Sequence, residues 1–289
     1  MITHPFAYQA PATIEEAVRA LGGTGEAKVI AGGHSLLPLM KLGLAQPERL
    51  IDLRRIASLR EIRAEADGAI AVGALATHRT ITHDKTVRAK LVALAEAAGA
   101  VGDLQVRARG TIGGSLAHAD SAADEPAPTL AFDATIRAIG PKGPREIRAR
   151  DYFKGMFETA LAADEILVEI RFPAQPGRTG SAYAKFAHPA SGFAVTGVAA
   201  AITIKADGSV ERAAIGVTGA AAAPYRAAEA EKALTGSKGD AKAIAAAAAK
   251  AGAGITALSD LVASSEYRKH LVTVYAKRAI ERAIERARA

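Results

Sequence analysis

The spacing of apolar residues changes period repeatedly along the chain, and each change marks an element. Residues 28–31 and 49–53 are short runs of strand character. Ahead of the first, Thr13 stands three residues before Glu16, a capping box that opens a helix through Leu21, where Gly22-Gly23 ends it. After Gly32-Gly33 the stretch LLPLMKL reads as a helical turn. Short strands are expected near 58–63 and 69–72, and Gly73-Ala74 then turns into Thr77, a cap for a helical stretch. Residues 87–98 hold Leu91, Leu94 and Ala95 on one face of a single helix.

Beyond 107–124 the pattern predicts a helix over 122–132, a strand over 135–139, a turn at PKGPR and a strand over 166–172 closed by Pro173. Pro and Gly cluster at 174–180 and mark a boundary. After it come a long strand of small residues (192–204), a hairpin turn with Asp-Gly at its tip (KADGSV) and a returning strand (210–218). Helices follow over 224–234, over 240–251 and from Ser265 to near the end. This order predicts an α+β fold in three parts: a small α/β lobe (1–55), a second lobe (56–175) and a C-terminal unit of antiparallel sheet plus helices (178–289).

Composition changes this picture in three ways. Aromatic residues are 4% of 289 and there is no Trp, so Ala, Val, Ile and Leu must build the core. There is no Cys, which excludes disulfides, a thiol nucleophile and a cysteine-bound iron–sulfur cluster on this chain. The formal charge of +7 comes without a block of basic residues interleaved with aromatics, so it suits an anionic small molecule better than a nucleic acid. The N-terminal stretch has an early Pro, two Glu and no apolar core of a leader, and no apolar run is long enough for a membrane span; the cytoplasm is the expected location.

Candidate chemistry concentrates in KVIAGGHSL (28–36) and RARGTIGGSLAHADSAAD (107–124). Each places a Gly-Gly pair where the backbone can turn sharply and approach a ligand, with Ser35, Thr111 and Ser115 adding hydroxyl donors. Taken singly, either loop reads first as an ordinary glycine turn; taken together they suggest a diphosphate gripped from two sides. The formal G-x-G-x-x-A at 252–257 follows an Ala-rich helix instead of a strand and reads as a helix end and linker. The seven His residues have no metal-ligand spacing, and no metal site is expected. By residue type alone, Asp124 is a helix cap and Lys185 an exposed strand residue.

AGGHS, TIGGS and the acidic residue beyond the second resemble the two FAD-pyrophosphate loops of the flavin-binding medium subunits of molybdenum hydroxylases. The resemblance is closest to the medium subunit of aerobic carbon monoxide dehydrogenase within the xanthine dehydrogenase family, and it covers nearly the whole chain. It implies a two-lobed PCMH/VAO-type FAD-binding domain followed by a C-terminal domain ending in a long helix. It implies FAD contacts from Lys28, Val29, Ile30, Ala31, Gly32, Gly33, His34, Ser35 and Leu36 in the first loop. From the rest of the chain it implies Val101, Thr111, Gly113, Gly114, Ser115, Asp120, Asp124, Leu167, Lys185 and Phe193. In it Asp124 bonds a cofactor hydroxyl or orders the loop, Lys185 lies beside the flavin pyrimidine, Phe193 packs on the ring and Leu167 touches the cofactor. The chain departs from the family at His34 (commonly Gln), Ser115 (usually Asn) and Ser121 (commonly Pro).

The function so implied is electron transfer by FAD, from a [2Fe-2S] subunit to a quinone, NAD or oxygen. The substrate reacts on a separate molybdopterin subunit, in a heterotrimer that can double. A stand-alone FAD-dependent reductase or oxidase of the same fold is the alternative; it needs a proton donor over the flavin, and no convincing Ser/Glu pair supplies one. A scaffold that has lost FAD is a further alternative, against which both intact Gly-Gly loops stand.

Overall fold

A computed structural model describes residues 2–289; Met1, the first residue of the expected first lobe, lies outside the described residues. The first sheet is parallel, in the order β1 (Ala7–Gln9), β3 (Arg49–Asp52), β2 (Ala27–Ile30). Helix α1 (Ile14–Leu21) joins β1 to β2; Thr13 caps it by accepting from Glu16 N, and Glu16 accepts from Ala12 N. Helix α2 (Leu36–Lys41) makes the crossover from β2 to β3. The three-residue β1 was not read from the sequence, because all three of its side chains are exposed and leave no alternating pattern.

The second sheet is antiparallel, in the order β4 (Ile62–Ala64), β5 (Ile70–Gly73), β10 (Ile166–Phe172), β6 (Thr135–Gly140), β7 (Gly143–Arg148). A small hairpin, β8 (Phe153–Gly155) and β9 (Glu158–Thr159), precedes β10. Helices α3 (His78–His83), α4 (Lys85–Lys90), α5 (Val92–Ala100), α6 (Leu104–Arg109), α7 (Ile112–His118) and α8 (Pro126–Ala131) run between β5 and β6, and the turn α9 (Ala149–Tyr152) follows β7.

Four expectations are corrected here. The single helix over 87–98 is two, α4 and α5, broken at Leu91 (φ −125°, ψ 52°), whose side chain is buried. The strand near 58–63 begins as a 3-10 turn at Ala57–Arg60. The helix over 122–132 starts only at Pro126; ahead of it Asp120 closes an Asx turn by accepting from Ala122 N. PKGPR turns only at its first residues, and Gly143 already opens β7.

The third sheet is antiparallel, β11 (Thr179–Ala187), β12 (Ala194–Ile204), β13 (Val210–Thr218), β14 (Tyr225–Arg226), followed by α10 (Ala228–Leu234), α11 (Ala241–Ala248) and α12 (Ser265–Arg288). The helix expected to begin at 224 therefore starts later, since Tyr225 and Arg226 pair with β13. Every residue of β12 is buried. One face joins the core of the second lobe, with Ala199 and Ala201 packed among residues of α5, α8 and β6; the other meets α12 through Val198, Ala200 and Ile202. That double burial is why β12 is a continuous run of small apolar residues without polar alternation.

Candidate functional site

The first loop leaves β2 at Ile30 and turns at Gly33, where φ is +79° and a side chain would be strained. Leu37 N donates to Gly33 O, and the His34 ring lies 3.0 Å from Gly32 O. Among the described residues, the N–H groups of Gly33, His34, Ser35 and Leu36 donate to no protein acceptor. Ser35 occupies the N-cap of α2 but makes no capping bond with its hydroxyl. A row of unspent amides plus a free hydroxyl at a strand-to-helix turn is what an anionic oxygen needs.

The second loop is built differently from the glycine turn expected. Gly113 and Gly114 lie in the first turn of α7, which Thr111 caps by accepting from Gly114 N at 3.1 Å. Ile112 N donates to Ala76 O and Gly113 N to Ala74 O, and Thr77 bridges Thr111. These amides are consumed in fixing the loop, so it contributes close approach in place of donors. Gly113 is packed on the core: a Cβ there would stand 2.5 Å from Ala74 Cβ. Gly114 is open beyond its own cap, with Ala31 Cβ 4.0 Å away. The Ser115 hydroxyl on the next residue has no protein partner among the described residues.

The two loops touch. A Cβ on Gly32 would stand 2.4 Å from Arg109 O and 2.8 Å from Gly110 Cα, so only glycine permits that approach. Two segments 78 positions apart (110 − 32) thus form one cradle, with donors from one side and a side-chain-free wall from the other. The residues present fit a diphosphate.

A second group of predicted residues meets at the opposite end of α6. Lys185 on β11 donates to Ala100 O (2.8 Å) and to Asp124 (2.9 Å). Tyr183 donates to the other Asp124 oxygen at 2.6 Å. Neither Lys185 nor Asp124 is as its residue type alone suggests: Lys185 is largely buried and Asp124 caps no helix. Burial raises the Asp124 carboxyl above its ordinary range, opposed by Lys185 and Tyr183. Burial and the same carboxylate push the Tyr183 hydroxyl well up. Arg107 donates to Val101 O and Gly102 O; Gly192 lies close to Gly102, and the next residue, Phe193, is exposed.

Of the remaining predicted residues, Lys28 is exposed beside Glu26, Val29 is half-buried and Ile30 is buried under the first loop. Ala31 and Leu36 flank the turn and are half-buried. Asp120 spends its carboxylate on Ala122 N, and Leu167 sits in the core at a bulge of β10. Sequence reasoning took in Arg107 and Gly110 only as part of the 107–124 stretch, with no role of their own, and missed a buried pair beneath them, His78 and Glu125 (2.7 Å). The last two are 47 residues apart and belong to no motif.

A family model described as the FAD binding domain in molybdopterin dehydrogenase matches residues 4–175, and one described as the CO dehydrogenase flavoprotein C-terminal domain matches 181–283. The chain is 39% identical to the carbon monoxide dehydrogenase medium chain of Afipia carboxidovorans over the full length of both. It is 37% identical to the 6-hydroxypseudooxynicotine dehydrogenase complex subunit alpha of Paenarthrobacter nicotinovorans, over 98% of this chain and 96% of that one. Among solved structures, carbon monoxide dehydrogenase from Hydrogenophaga pseudoflava superposes with a TM-score of 0.94 at 41% identity, covering 99% of each chain. With its two cradle loops inside the first match and Lys185 inside the second, the chain belongs to the FAD-binding medium subunits of the molybdenum hydroxylases.

Proposed function

We propose that this chain carries electrons from a [2Fe-2S] subunit to an external acceptor, in a cytoplasmic complex whose molybdopterin subunit oxidises the substrate. Bound FAD supplies the redox chemistry, taking up electrons and releasing them to a different partner. The division of labour follows from composition: with no Cys, this chain has no thiolates for an iron–sulfur centre of its own. Residues 1–55 and 56–175 form the two FAD-binding lobes and 178–289 the C-terminal domain that reaches the flavin end through Lys185 and Phe193. The Gly33–Leu36 amides, with the Ser35 and Ser115 hydroxyls and the exposed His34, hold the diphosphate. Gly32, Gly113 and Gly114 admit it. Asp124 orders the loop and fixes Lys185.

The observation that carries this reading is the contact of Gly32 with Arg109 and Gly110, which closes one cradle from two lobes. Gly33→Val forces a β-branched side chain into a φ of +79°, and Gly114→Val fills the open wall. Both variants are expected to fold, by circular dichroism, and to purify colourless, with FAD affinity reduced at least about 100-fold, some 2.7 kcal/mol. Yellow protein from both variants would refute the cradle.

A further inference from the structure

Beneath the cradle lies a buried ionisable pair that the electron-transfer reading does not use. His78 begins α3, and its backbone N–H donates to Gly110 O at 3.1 Å. The Nε2–Cδ2 edge of its ring lies under Gly110: a Cβ there would stand 2.6 and 2.7 Å from those two atoms. Gly32 approaches the same Gly110: a Cβ on Gly32 would stand 2.8 Å from Gly110 Cα. Gly110 is therefore in close contact with both the His78 ring and the first loop, so a displacement of the ring bears on the point where the two loops meet.

The chemistry of the pair follows from its neighbours. Glu125 is wholly buried; one oxygen lies 2.7 Å from His78 Nδ1 and the other, Oε2, has no hydrogen-bond partner. The adjacent Asp124 is buried too, and has already taken Lys185 and Tyr183. Among the described residues, His78 is thus the only cation paired with Glu125. The other charged groups facing the ring are Asp124, from the same turn, and Arg107 on α6, which is bonded to the Val101 and Gly102 carbonyls. With its proton on the imidazole, His78 balances the Glu125 carboxylate. Removing that proton leaves a buried carboxylate unpaired next to a second one, which the structure relieves only by parting the pair or admitting water.

We propose that the His78–Glu125 pair is a positioning element of the FAD site: one shared proton keeps Gly110 seated against Gly32, and FAD is held most tightly while that proton is present. The proposal rests on the cradle reading and adds a dependence on pH to it. Burial alone would lower the His78 pKa, but Glu125 overrides it and holds the imidazole above its ordinary range. The proton is therefore present at low pH and is lost as pH rises through that elevated value.

The test titrates the full chain, stripped of FAD, with FAD from about pH 5.5 to 9, a window that brackets imidazole titration, by flavin fluorescence or calorimetry. Kd is expected to rise about tenfold across it, the fold-change for a one-unit difference in the pair's pKa between free and FAD-bound chain. With His34→Gln introduced into both chains to take the cradle imidazole out of the comparison, Glu125→Gln keeps the shape and removes the pair's titration, so its Kd is expected to be flat. A wild-type Kd that is tight but independent of pH overturns the positioning role and leaves the cradle standing; no FAD binding at any pH overturns both. A Glu125→Gln profile that follows wild type also overturns it. Should Glu125→Gln not fold, the wild-type His78 Cε1–H resonance, identified by its loss in His78→Gln, is read instead. By reciprocity FAD should raise its midpoint by about one pH unit, and an unchanged midpoint overturns the proposal.

Discussion

At the scale of single residues, the C-terminal end of the site is organised by one buried charge pair. Lys185 and Asp124 come from strand and turn segments 61 positions apart, and each is almost wholly removed from water. Desolvating both is costly, and besides their own bond two further ones, from Tyr183 to Asp124 and from Lys185 to Ala100 O, offset that cost. Lys185→Met leaves the Asp124 carboxylate buried without its cation and should destabilise the chain by about 3–5 kcal/mol. Adding Asp124→Asn removes the orphaned charge and should recover more than half of that loss. Urea denaturation of the two single variants and the double variant measures the coupling; additive losses would show that the pair acts as two independent residues. The same substitution is expected to lower the flavin potential, by less than loss of an unpaired cation would, because Asp124 already balances most of the Lys185 charge. The resemblance pointed to both residues, but their bond was not legible: nothing in YAKF or SAAD encodes a partner on another sheet. The roles of Arg107, Gly110, His78 and Glu125 were invisible for the same reason, since they are created by tertiary approach.

At the scale of elements, periodicity placed most strands and long helices but misjudged what the glycines do. Gly33 is the turn that the sequence suggests, with a positive φ and free amides beside it. Gly113 and Gly114 are helical, and their lack of side chains serves packing on Ala74 on one side and an open wall on the other. A Gly-Gly pair does not say which of these it is, because both require only a missing Cβ. The break at Leu91 was likewise hidden: its apolar face stays in phase on both sides of the interruption. Gly180 in β11 gives an element-scale test. A Cβ there would stand 2.1 Å from Ala283 O and 2.4 Å from Ala287 N, the backbone of α12. Gly180→Ala must push that helix off the sheet and should cost about 2–3 kcal/mol. Gly177, three residues earlier with nothing within 4 Å of such a Cβ, provides the control; Gly177→Ala should change stability by less than about 0.5 kcal/mol. Equal midpoints for the two variants in thermal denaturation would mean that α12 is not seated as described.

At the scale of the whole molecule, the proposed flavin site draws on parts that do not adjoin in sequence, so what locks those parts together should also govern ligand affinity. Glu96 on α5 is the principal lock: it accepts from Tyr183 N at 2.7 Å, from Arg282 at 2.5 Å and from Arg286 at 2.7 Å, tying the FAD-binding lobe to both β11 and α12. Four residues further along α5, Ala100 O receives Lys185 from the same strand that Glu96 anchors. Arg268 secures the other end of α12, donating to Val195 O and Gly219 O and pairing with Asp260. That second anchor keeps the helix folded on its sheet when Glu96 is lost, so the two effects can be separated. Glu96→Ala should lower stability by about 2–3 kcal/mol, within the range for breaking a partly buried charge network. It should also weaken FAD several-fold without touching either cradle loop. Saturating FAD raises the wild-type stability by about 2.7 kcal/mol at 100 times Kd, since it binds only the folded chain. Measured at one fixed FAD concentration, the thermal shift on adding FAD should therefore be smaller in Glu96→Ala than in wild type. An equal shift, with equal Kd by calorimetry, would mean that the cradle alone holds FAD and that the C-terminal domain does no more than pack beside it.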